Sequence, residues 1–297
     1  MGVSPLAPVL DALHEVLPRT WSIIITLYGD AVVPRGGALD LAAMLRIFAA
    51  MAIDPGAVRT AVSRLAADGW LAGRKVGRVS FYRLAAKGDA VFAAAATRIY
   101  RAAPPAWDGV LRLALPPPEA MAEGSRSTLA EAGFGAPLPG LWVAPPGMAP
   151  DAVARLAGAL VLETSPPREA GRRLAARAWP LARLAAGYER FTAVFQPLAA
   201  AMETDGRLAG VEALAARILL IHHYRRVILH DPDLPLALLP ADWPGVAARS
   251  LCRRLYAHLL PASETWLDHH GRTPEGSLPP PALDLFTRFE GGDRFFQ

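Results

Sequence analysis

The stretch Ile53–Leu84, with the sequence IDPGAVRTAVSRLAADGWLAGRKVGRVSFYRL, decides the fold of the N-terminal part of the chain. Asp54 is a favourable N-cap, and the proline after it fits the first helical position, so we expect a helix from Pro55 to Asp68. One face of this helix carries apolar side chains at helical spacing, namely Val58, Ala61, Val62 and Leu65. That face is expected to be buried, which leaves the polar side chains pointing outward.

Two further helices are predicted upstream of this stretch. The first runs from Trp21 to Tyr28 and ends near Gly29, and the second runs from about Leu39 to Met51 with apolar residues at helical spacing. Only a short turn separates the second helix from the one that begins at Pro55. Two helices joined so tightly indicate a helix-turn-helix.

The period of the pattern changes after Gly69. Two short runs, Trp70–Arg74 and Arg78–Leu84, flank the turn Lys75-Val76-Gly77, and together they indicate a β-hairpin. A basic hairpin directly after a DNA-reading helix is typical of a wing, which lies along the phosphate backbone or enters the minor groove.

Positive charge is concentrated in this region. Residues 57–87 hold seven arginines and lysines against one aspartate, a net charge of +6, whereas the whole chain carries +4. A local cationic patch is typical of a DNA-binding protein, because it attracts the phosphate backbone. Arginine side chains can also form bidentate hydrogen bonds with guanine, and hydroxyl groups can bond bases or phosphates. The predicted DNA contacts are Arg59, Thr60, Ser63 and Arg64 on the helix, and Arg74, Lys75 and Arg78 on the hairpin. The alternative is that these side chains form an ordinary solvated face.

Length and proline content predict several domains. The 297 residues divide at proline-rich stretches into 1–101, 102–165 and 166–297, with a loosely ordered tail from Gly271 onward. Cys252 is the single cysteine, which excludes an internal disulfide and favours a reducing compartment. We identify no leader peptide, and the apolar runs are too short to span a bilayer. We therefore expect a cytoplasmic protein without membrane contact.

Several motifs, in order along the chain, resemble those of the PaaX family, the repressors of phenylacetic acid catabolism. They are SIIITLYGD (22–30), AVRTAVSRLAADGWL (57–71), RIY (98–100), WDG (107–109), GFG (133–135), LPGLWVAPP (138–146), HHYRR (222–226) and DPDLPLALLPADWPGVA (231–247).

This resemblance covers the chain from about Thr20 to Leu260. It implies an α+β multidomain protein: a winged helix-turn-helix, a ferredoxin-like domain similar to that of the small CRISPR-associated nucleases, and a helical C-terminal domain. It also implies a homodimer that represses aromatic-acid catabolic genes and is released by phenylacetyl-coenzyme A. The DNA-reading helix of the family corresponds to Pro55 to Asp68.

The middle part is predicted to alternate strands and helices. Strands are expected at Val110–Leu115, Leu141–Ala144 and Leu160–Glu163, with one more near Phe134. Helices are expected at Glu119–Glu131 and Ala152–Leu156. The CRISPR-associated nucleases that this fold resembles place an acidic residue at the end of the first strand. Here prolines 116–118 follow Leu115, and Asp108 lies at the start of the strand. A dimerisation or spacer role is therefore the simpler interpretation of this part.

The C-terminal part is predicted to contain helices at Pro180–Met202, at Leu208–Leu229 and from Pro244 past Tyr256. Arginine forks match the phosphates of coenzyme A, so an effector site is predicted from His223, Arg225, Arg226 and Tyr188. The alternative is that the histidines pack in the core and the arginines form surface salt bridges. No HxxxH pair occurs among these residues, and we predict no metal site.

These observations together predict a dimeric DNA-binding regulator with no catalytic residue and no cofactor. Its expected partners are double-stranded DNA, an acyl-coenzyme A effector and a second copy of the chain. Two alternatives remain at this point: a metal-dependent nuclease that uses the middle domain, and a protein-interaction module.

Overall fold

The computed structural model describes residues 5–15, 19–101, 107–117, 123–204 and 208–290. Within these ranges the chain is an α+β protein of helices and small antiparallel sheets, which confirms the expected class. None of the helices in the described ranges is long and apolar enough to cross a bilayer.

The helices and strands are numbered in chain order. The helices are α1 (Ala7–Glu15), α2 (Thr20–Leu27), α3 (Leu41–Ala49), α4 (Pro55–Ala67), α5 (Ala86–Ile99), α6 (Glu123–Glu131), α7 (Pro150–Ala157), α8 (Arg168–Ala178), α9 (Leu181–Glu203), α10 (Gly210–Ile228) and α11 (Pro244–His270). The strands are β1 (Ala38–Asp40), β2 (Leu71–Val76), β3 (Val79–Leu84), β4 (Leu111–Leu115), β5 (Gly135–Leu138), β6 (Leu141–Val143), β7 (Leu160–Thr164), β8 (Arg272–Thr273) and β9 (Gly276–Ser277).

The chain forms two compact units. Unit 1 takes the described residues of Met1–Ala102, Arg190–Leu229 and Ala247–Gln297, and unit 2 takes those of Ala103–Glu189 and His230–Val246. Compactness does not test where independently folding domains begin and end. The predicted division into domains at 101 and 165 therefore stays a prediction, and the prolines proposed as its first boundary, 104 and 105, lie outside the described residues.

Two aspartates set where α3 and α4 begin in unit 1. The Asp40 carboxylate accepts a hydrogen bond from the Ala43 amide at 2.8 Å, and that of Asp54 accepts one from the Ala57 amide at 3.0 Å. Helix α4 follows the prediction closely, and its apolar stripe is buried. Helix α3 starts two residues later than expected, because Leu39 and Asp40 extend as β1 and pair with β3.

A three-stranded antiparallel sheet, in the order β1-β3-β2, follows α4 in unit 1. The predicted hairpin is present, but its turn is shorter than the predicted Lys75-Val76-Gly77. Strand pairing continues to Val76 and Val79, so only Gly77 and Arg78 make the turn. Gly77 has a φ of +59°, a conformation that glycine adopts without steric cost.

Gly29 does not end the first predicted helix. The chain continues from α2 through a π-helical turn, Tyr28–Val32, and then through a short 3-10 turn. A Cβ at Gly29 would lie 2.4 Å from the ring of Phe92 on α5. The glycine is thus required for the close approach of α5, and the π-helical turn places Asp30 in the core.

Asp30 anchors a buried cluster of charges in unit 1. Its carboxylate pairs with Arg217 at 2.7 Å and with Arg288 at 3.0 Å. Glu264 binds Arg217 on one oxygen and Arg35 on the other, the latter at 2.7 Å. Burial disfavours the charged guanidinium of Arg217, but Asp30 and Glu264 outweigh this and raise its pKa well above the usual value.

The segment after Gly271 was expected to be loosely ordered, and up to residue 290 the structure differs from that expectation. Strands β8 and β9 form a small hairpin, and further along Arg288 reaches the carboxylate of Asp30. Phe289 is buried, with its ring 5.5 Å from that of Tyr100 and 5.4 Å from that of Tyr256. The composition suggested looseness, but Leu278, Leu285 and Phe289 are buried and Arg288 pairs with Asp30.

Unit 2 contains a four-stranded antiparallel sheet in the order β5-β6-β4-β7. All three predicted strands are present, and the strand expected near Phe134 is β5. Helix α7 covers one predicted helix, and α6 covers the described part of the other, of which residues 119–122 lie outside the described ranges. The hydrophobic core of unit 2 is formed by Ala114, Leu129, Phe134, Trp142, Ala144 and Val153.

The three predicted C-terminal helices correspond to α9, α10 and α11. The sequence analysis did not identify α1, α5 or α8. Helix α5 is rich in alanine, and its described side chains show few of the apolar positions that mark an amphipathic helix.

Replacing Arg217 with methionine is expected to destabilise the protein by about 3–5 kcal/mol, because Asp30 and Glu264 would lose their shared buried cation. Urea unfolding measures this loss. The matched control is Arg254→Met, which removes an exposed pair with Glu203 and should cost less than about 1 kcal/mol. Equal losses for the two variants would contradict a structural role for the cluster.

Candidate nucleic-acid interface and ligand pocket

The outward face of α4 carries the side chains predicted to contact DNA. Arg59, Thr60, Ser63 and Arg64 are all exposed, whereas the opposite stripe of the helix is buried. The cause is local: the Asp54 cap fixes the first turn, and the buried stripe fixes the rotation of the helix about its axis. This face therefore presents two guanidinium groups and two hydroxyls to solvent.

The hairpin carries the second group of predicted contacts. Arg74, Lys75 and Arg78 are exposed near its turn. Arg74 lies 3.1 Å from the carboxylate of Glu275, in the tight turn between β8 and β9, and both side chains are exposed. An exposed pair of this kind is weak and is screened by salt, so a phosphate can compete for Arg74.

A cavity of about 550 Å³ lies within unit 1, next to the end of α4. Residues of α2, α4, α5 and α10 line it, together with Trp70 at the start of the hairpin. Three aromatic side chains, Trp21, Trp70 and Phe92, form part of the wall, and Arg64 and Arg225 supply positive charge. The sequence analysis missed this cavity, because its aromatic residues come from stretches about twenty to fifty residues apart and have no shared local pattern.

Arg225 is the member of the predicted effector site that lines the cavity. Its Nη2 donates to the Ser22 carbonyl at 3.0 Å and to the Ser22 hydroxyl at 2.7 Å. Its Nε is shielded from solvent and has no hydrogen-bond partner. Burial lowers the pKa of Arg225, with Arg226 adding to the effect, and within the described ranges no carboxylate forms an ion pair with Arg225.

Two adjacent histidines on α10 occupy different surroundings. His222 is buried, and its Nδ1 lies 3.1 Å from the Thr26 hydroxyl. His223 is half-buried, with its ring edge-on to Phe195 at 5.5 Å. Burial, together with nearby arginines, lowers the pKa of His222 to about 2 and that of His223 to about 4. Both imidazoles are therefore neutral near pH 7.

The remaining predicted effector residues do not line the cavity. Arg226 is exposed on α10. Tyr188 belongs to unit 2, where its hydroxyl donates to Asp231 at 2.5 Å and its ring lies edge-on to Trp243. The assignment of His223, Arg226 and Tyr188 to an effector site stays a prediction that these contacts do not test.

The surroundings of Asp108 and Cys252 bear on an enzymatic interpretation. The Asp108 carboxylate accepts from the Val110 amide and from Arg112, both at 3.0 Å, and these bonds lower its pKa. Cys252 is buried, which raises the pKa of its thiol. Across the described ranges no three or more metal-ligating side chains lie close enough to hold an ion.

Comparisons with known proteins give consistent matches. A family model described as PaaX-like protein matches residues 19–88, and one described as PaaX-like protein C-terminal domain matches residues 179–269. The chain is 37% identical over 302 residues to the transcriptional repressor PaaX of Escherichia coli (strain K12), covering 95% of this chain and 94% of that protein. A solved structure of an uncharacterized protein from Mycobacterium tuberculosis is 22% identical and covers 74% of this chain and 87% of its own, with a TM-score of 0.49.

We expect acid to destabilise the protein through His222 and His223. Their folded pKa values lie below the ordinary value of 6.5, so below pH 6.5 the unfolded chain binds protons more readily than the folded one. The contribution of the neutral imidazoles to the stability of the fold is fully present above pH 6.5. It is lost as the pH falls toward their pKa values in the folded protein. The expected loss between about pH 8 and about pH 5 is roughly 2 kcal/mol per histidine.

Urea unfolding across this pH range tests the expectation. The variant with both histidines replaced by glutamine should lose less stability on acidification than the unchanged protein. Parallel curves for the two proteins would show that these histidines are not the groups that titrate.

Proposed function

This chain belongs to the PaaX-like protein family, and from that premise we propose that it is a DNA-binding transcriptional repressor of phenylacetate-type catabolic genes. The observation that carries the proposal is the 37% identity to the transcriptional repressor PaaX over 95% of the chain. Because its target is chromosomal DNA, we place its action in the cytoplasm of a bacterium.

We propose that α3, α4 and the β2–β3 hairpin form a winged helix-turn-helix. Two observations support this: a short turn joins α3 to α4, and the hairpin pairs with β1 in a three-stranded sheet. Helix α4 would enter the major groove, where Arg59 and Arg64 can each form a bidentate contact with a guanine. Thr60 and Ser63 would bond bases or phosphates beside them.

The hairpin would act as the wing. Arg74, Lys75 and Arg78 are exposed on it and would contact phosphates or the minor groove, which supplies affinity without reading the sequence. Since Arg74 is engaged by Glu275 only through an exposed pair, DNA can displace that contact.

We propose that the middle part is a ferredoxin-like domain. Its elements follow one another in the order β4-α6-β5-β6-α7-β7. The sheet is antiparallel, and its two edge strands, β5 and β7, are the second and fourth strands of this part along the chain. This order of elements is that of the ferredoxin-like motif. A nuclease at this place has little support, because the carboxylate of Asp108 is occupied by Val110 and Arg112.

We propose that the sheet of unit 2 also provides the homodimer contact. Cross-strand pairing places Leu115 opposite Leu160, and Leu162 lies two residues further along on the same face. All three are exposed, and β7 is an edge strand. Clustered exposed leucines mark an interaction surface, and a two-fold dimer matches two operator half-sites one helical turn or a multiple apart.

The proposed effector is an acyl-coenzyme A thioester, with phenylacetyl-coenzyme A as the expected member. In this mechanism the thioester binds better to a dimer geometry in which the two copies of α4 no longer match their half-sites, and binding shifts the population toward that geometry.

Replacing both Arg59 and Arg64 with alanine should weaken binding to the DNA upstream of the protein's own gene by at least about tenfold, because each arginine fork contributes roughly 1–3 kcal/mol. Gel shifts and footprinting measure the loss. The control is Arg253→Ala with Arg254→Ala, which removes two exposed arginines of α11 and should keep the footprint. A double α4 variant that protects the same site would refute the assignment of α4.

Replacing Leu160 and Leu162 with aspartate should convert the dimer to a monomer, because two charges would be buried unpaired in the contact. Sedimentation velocity gives the mass directly. Leu138 is an exposed leucine on β5, at the opposite edge of the sheet, so Leu138→Asp serves as the control and should remain dimeric. Dimerisation by the double variant would place the contact elsewhere.

A further inference from the structure

The cavity beside α4 has the dimensions and chemistry of a small-molecule site. Its volume of about 550 Å³ lies within the range of about 300–1,000 Å³ typical of such sites. Its wall combines the rings of Trp21, Trp70 and Phe92 with the aliphatic side chains of Ile25 and Leu65. Such walls bind flat or branched apolar groups, and aromatic rings gain additional energy from ring-to-ring contacts.

Arg225 gives the cavity one polar end with spare bonding capacity. Its guanidinium is held by Ser22, but its Nε has no partner, and the described residues offer it no ion pair. A partly buried cation without a counter-ion is costly, so an anionic or carbonyl oxygen at this place would be stabilised. Asp68 also borders the cavity, but it forms no ion pair with Arg225.

We propose that this cavity binds an aromatic acyl compound, with the ring between Trp21, Trp70 and Phe92 and the acyl oxygen on Arg225. The shared chemistry is an aromatic ring joined to an oxygen acceptor, which a free carboxylate and a thioester both supply. Its regulatory consequence, though not the binding itself, rests on the function proposed above.

The position of the cavity supplies the link to DNA. Arg64, Leu65 and Asp68 lie on or directly after the last turn of α4, and all three line the cavity. Arg64 therefore has both an exposed side chain and a share of the cavity wall. A ligand in the cavity would lie against Arg64, one of the two guanidinium groups that α4 would present to a major groove, so we expect occupancy and DNA binding to compete.

Titration of the full-length protein without DNA tests the site. The probes are phenylacetate, phenylacetyl-coenzyme A and coenzyme A alone, with tryptophan fluorescence and calorimetry as readouts, since Trp21 and Trp70 line the cavity. Arg225→Met should weaken binding at least about tenfold, because it removes a charged hydrogen bond. The matched control is Arg253→Met, an exposed arginine of α11 that does not line the cavity, which should bind within about twofold of the unchanged protein.

A second pair of variants changes volume and not charge. Ala95 on α5 lines the cavity, so Ala95→Trp should fill it and abolish binding, whereas Ala94→Trp places the same bulk at an exposed position and should leave binding unchanged. This pair decides the question if Arg225→Met fails to fold.

The outcomes separate the site from the regulatory function. Binding of phenylacetate or of its thioester, lost in Arg225→Met and Ala95→Trp, supports the site and identifies which source is bound. Unchanged affinity in both variants, equal affinity for coenzyme A alone, or no binding of any probe overturns it. A protein that binds a probe in this cavity but shifts no DNA would refute the repressor and leave the site standing. If a probe releases DNA equally well from all variants, the repressor proposal stands and the cavity is refuted as the binding site.

Discussion

The fully buried carboxylate of Asp30 is the interaction on which unit 1 depends. It accepts from Tyr100 at 2.6 Å, from Tyr256 at 3.0 Å and from Arg288 at 3.0 Å, and it pairs with Arg217. These partners are far apart in sequence, so one charge joins the π-helical turn, the end of α5, α10, α11 and the C-terminal segment. A carboxylate buried in this way is tolerable only when it is fully hydrogen-bonded and paired. A structural change that removed one of these partners would leave the Asp30 carboxylate incompletely paired in the core.

That constraint explains how α4 and the hairpin can stay so polar. Helix α4 buries only one stripe, and the hairpin is exposed along most of its length. Neither element contributes much core of its own, so each relies on a neighbouring scaffold that is fixed elsewhere, through the cluster around Asp30. A rigid support beneath a solvated cationic surface suits the DNA contact proposed for these two elements, because exposed arginines can contact phosphates only when the scaffold holds them in position.

Local rules predicted the parts of the fold that local forces determine. Helix α4 and its cap follow from Asp54, Pro55 and a regular apolar stripe, and the strands of unit 2 follow from short apolar runs between turn residues. The parts that the sequence did not predict depend on contacts between distant residues. Gly29 has the pattern of a helix end but serves the approach of Phe92, and the composition after Gly271 suggests looseness although Arg288 and Phe289 enter the core. The cavity was equally hidden, because its wall exists only after the helices pack.

Two arginines of α10, Arg217 and Arg225, differ in their partners and therefore in the roles that we assign to them. Arg217 is fully buried, and acids on two other segments neutralise it, so its role ends with the stability of the core. Arg225 lies two turns later and is partly buried. Its hydrogen bonds go to Ser22, and its Nε–H has no hydrogen-bond partner. Arg217 thus has two acidic partners, whereas the partly buried Arg225 has none among the described residues. Since the fold evidently can supply acids to a buried arginine, their absence around Arg225 within the described residues is best explained if the missing oxygen arrives with a ligand.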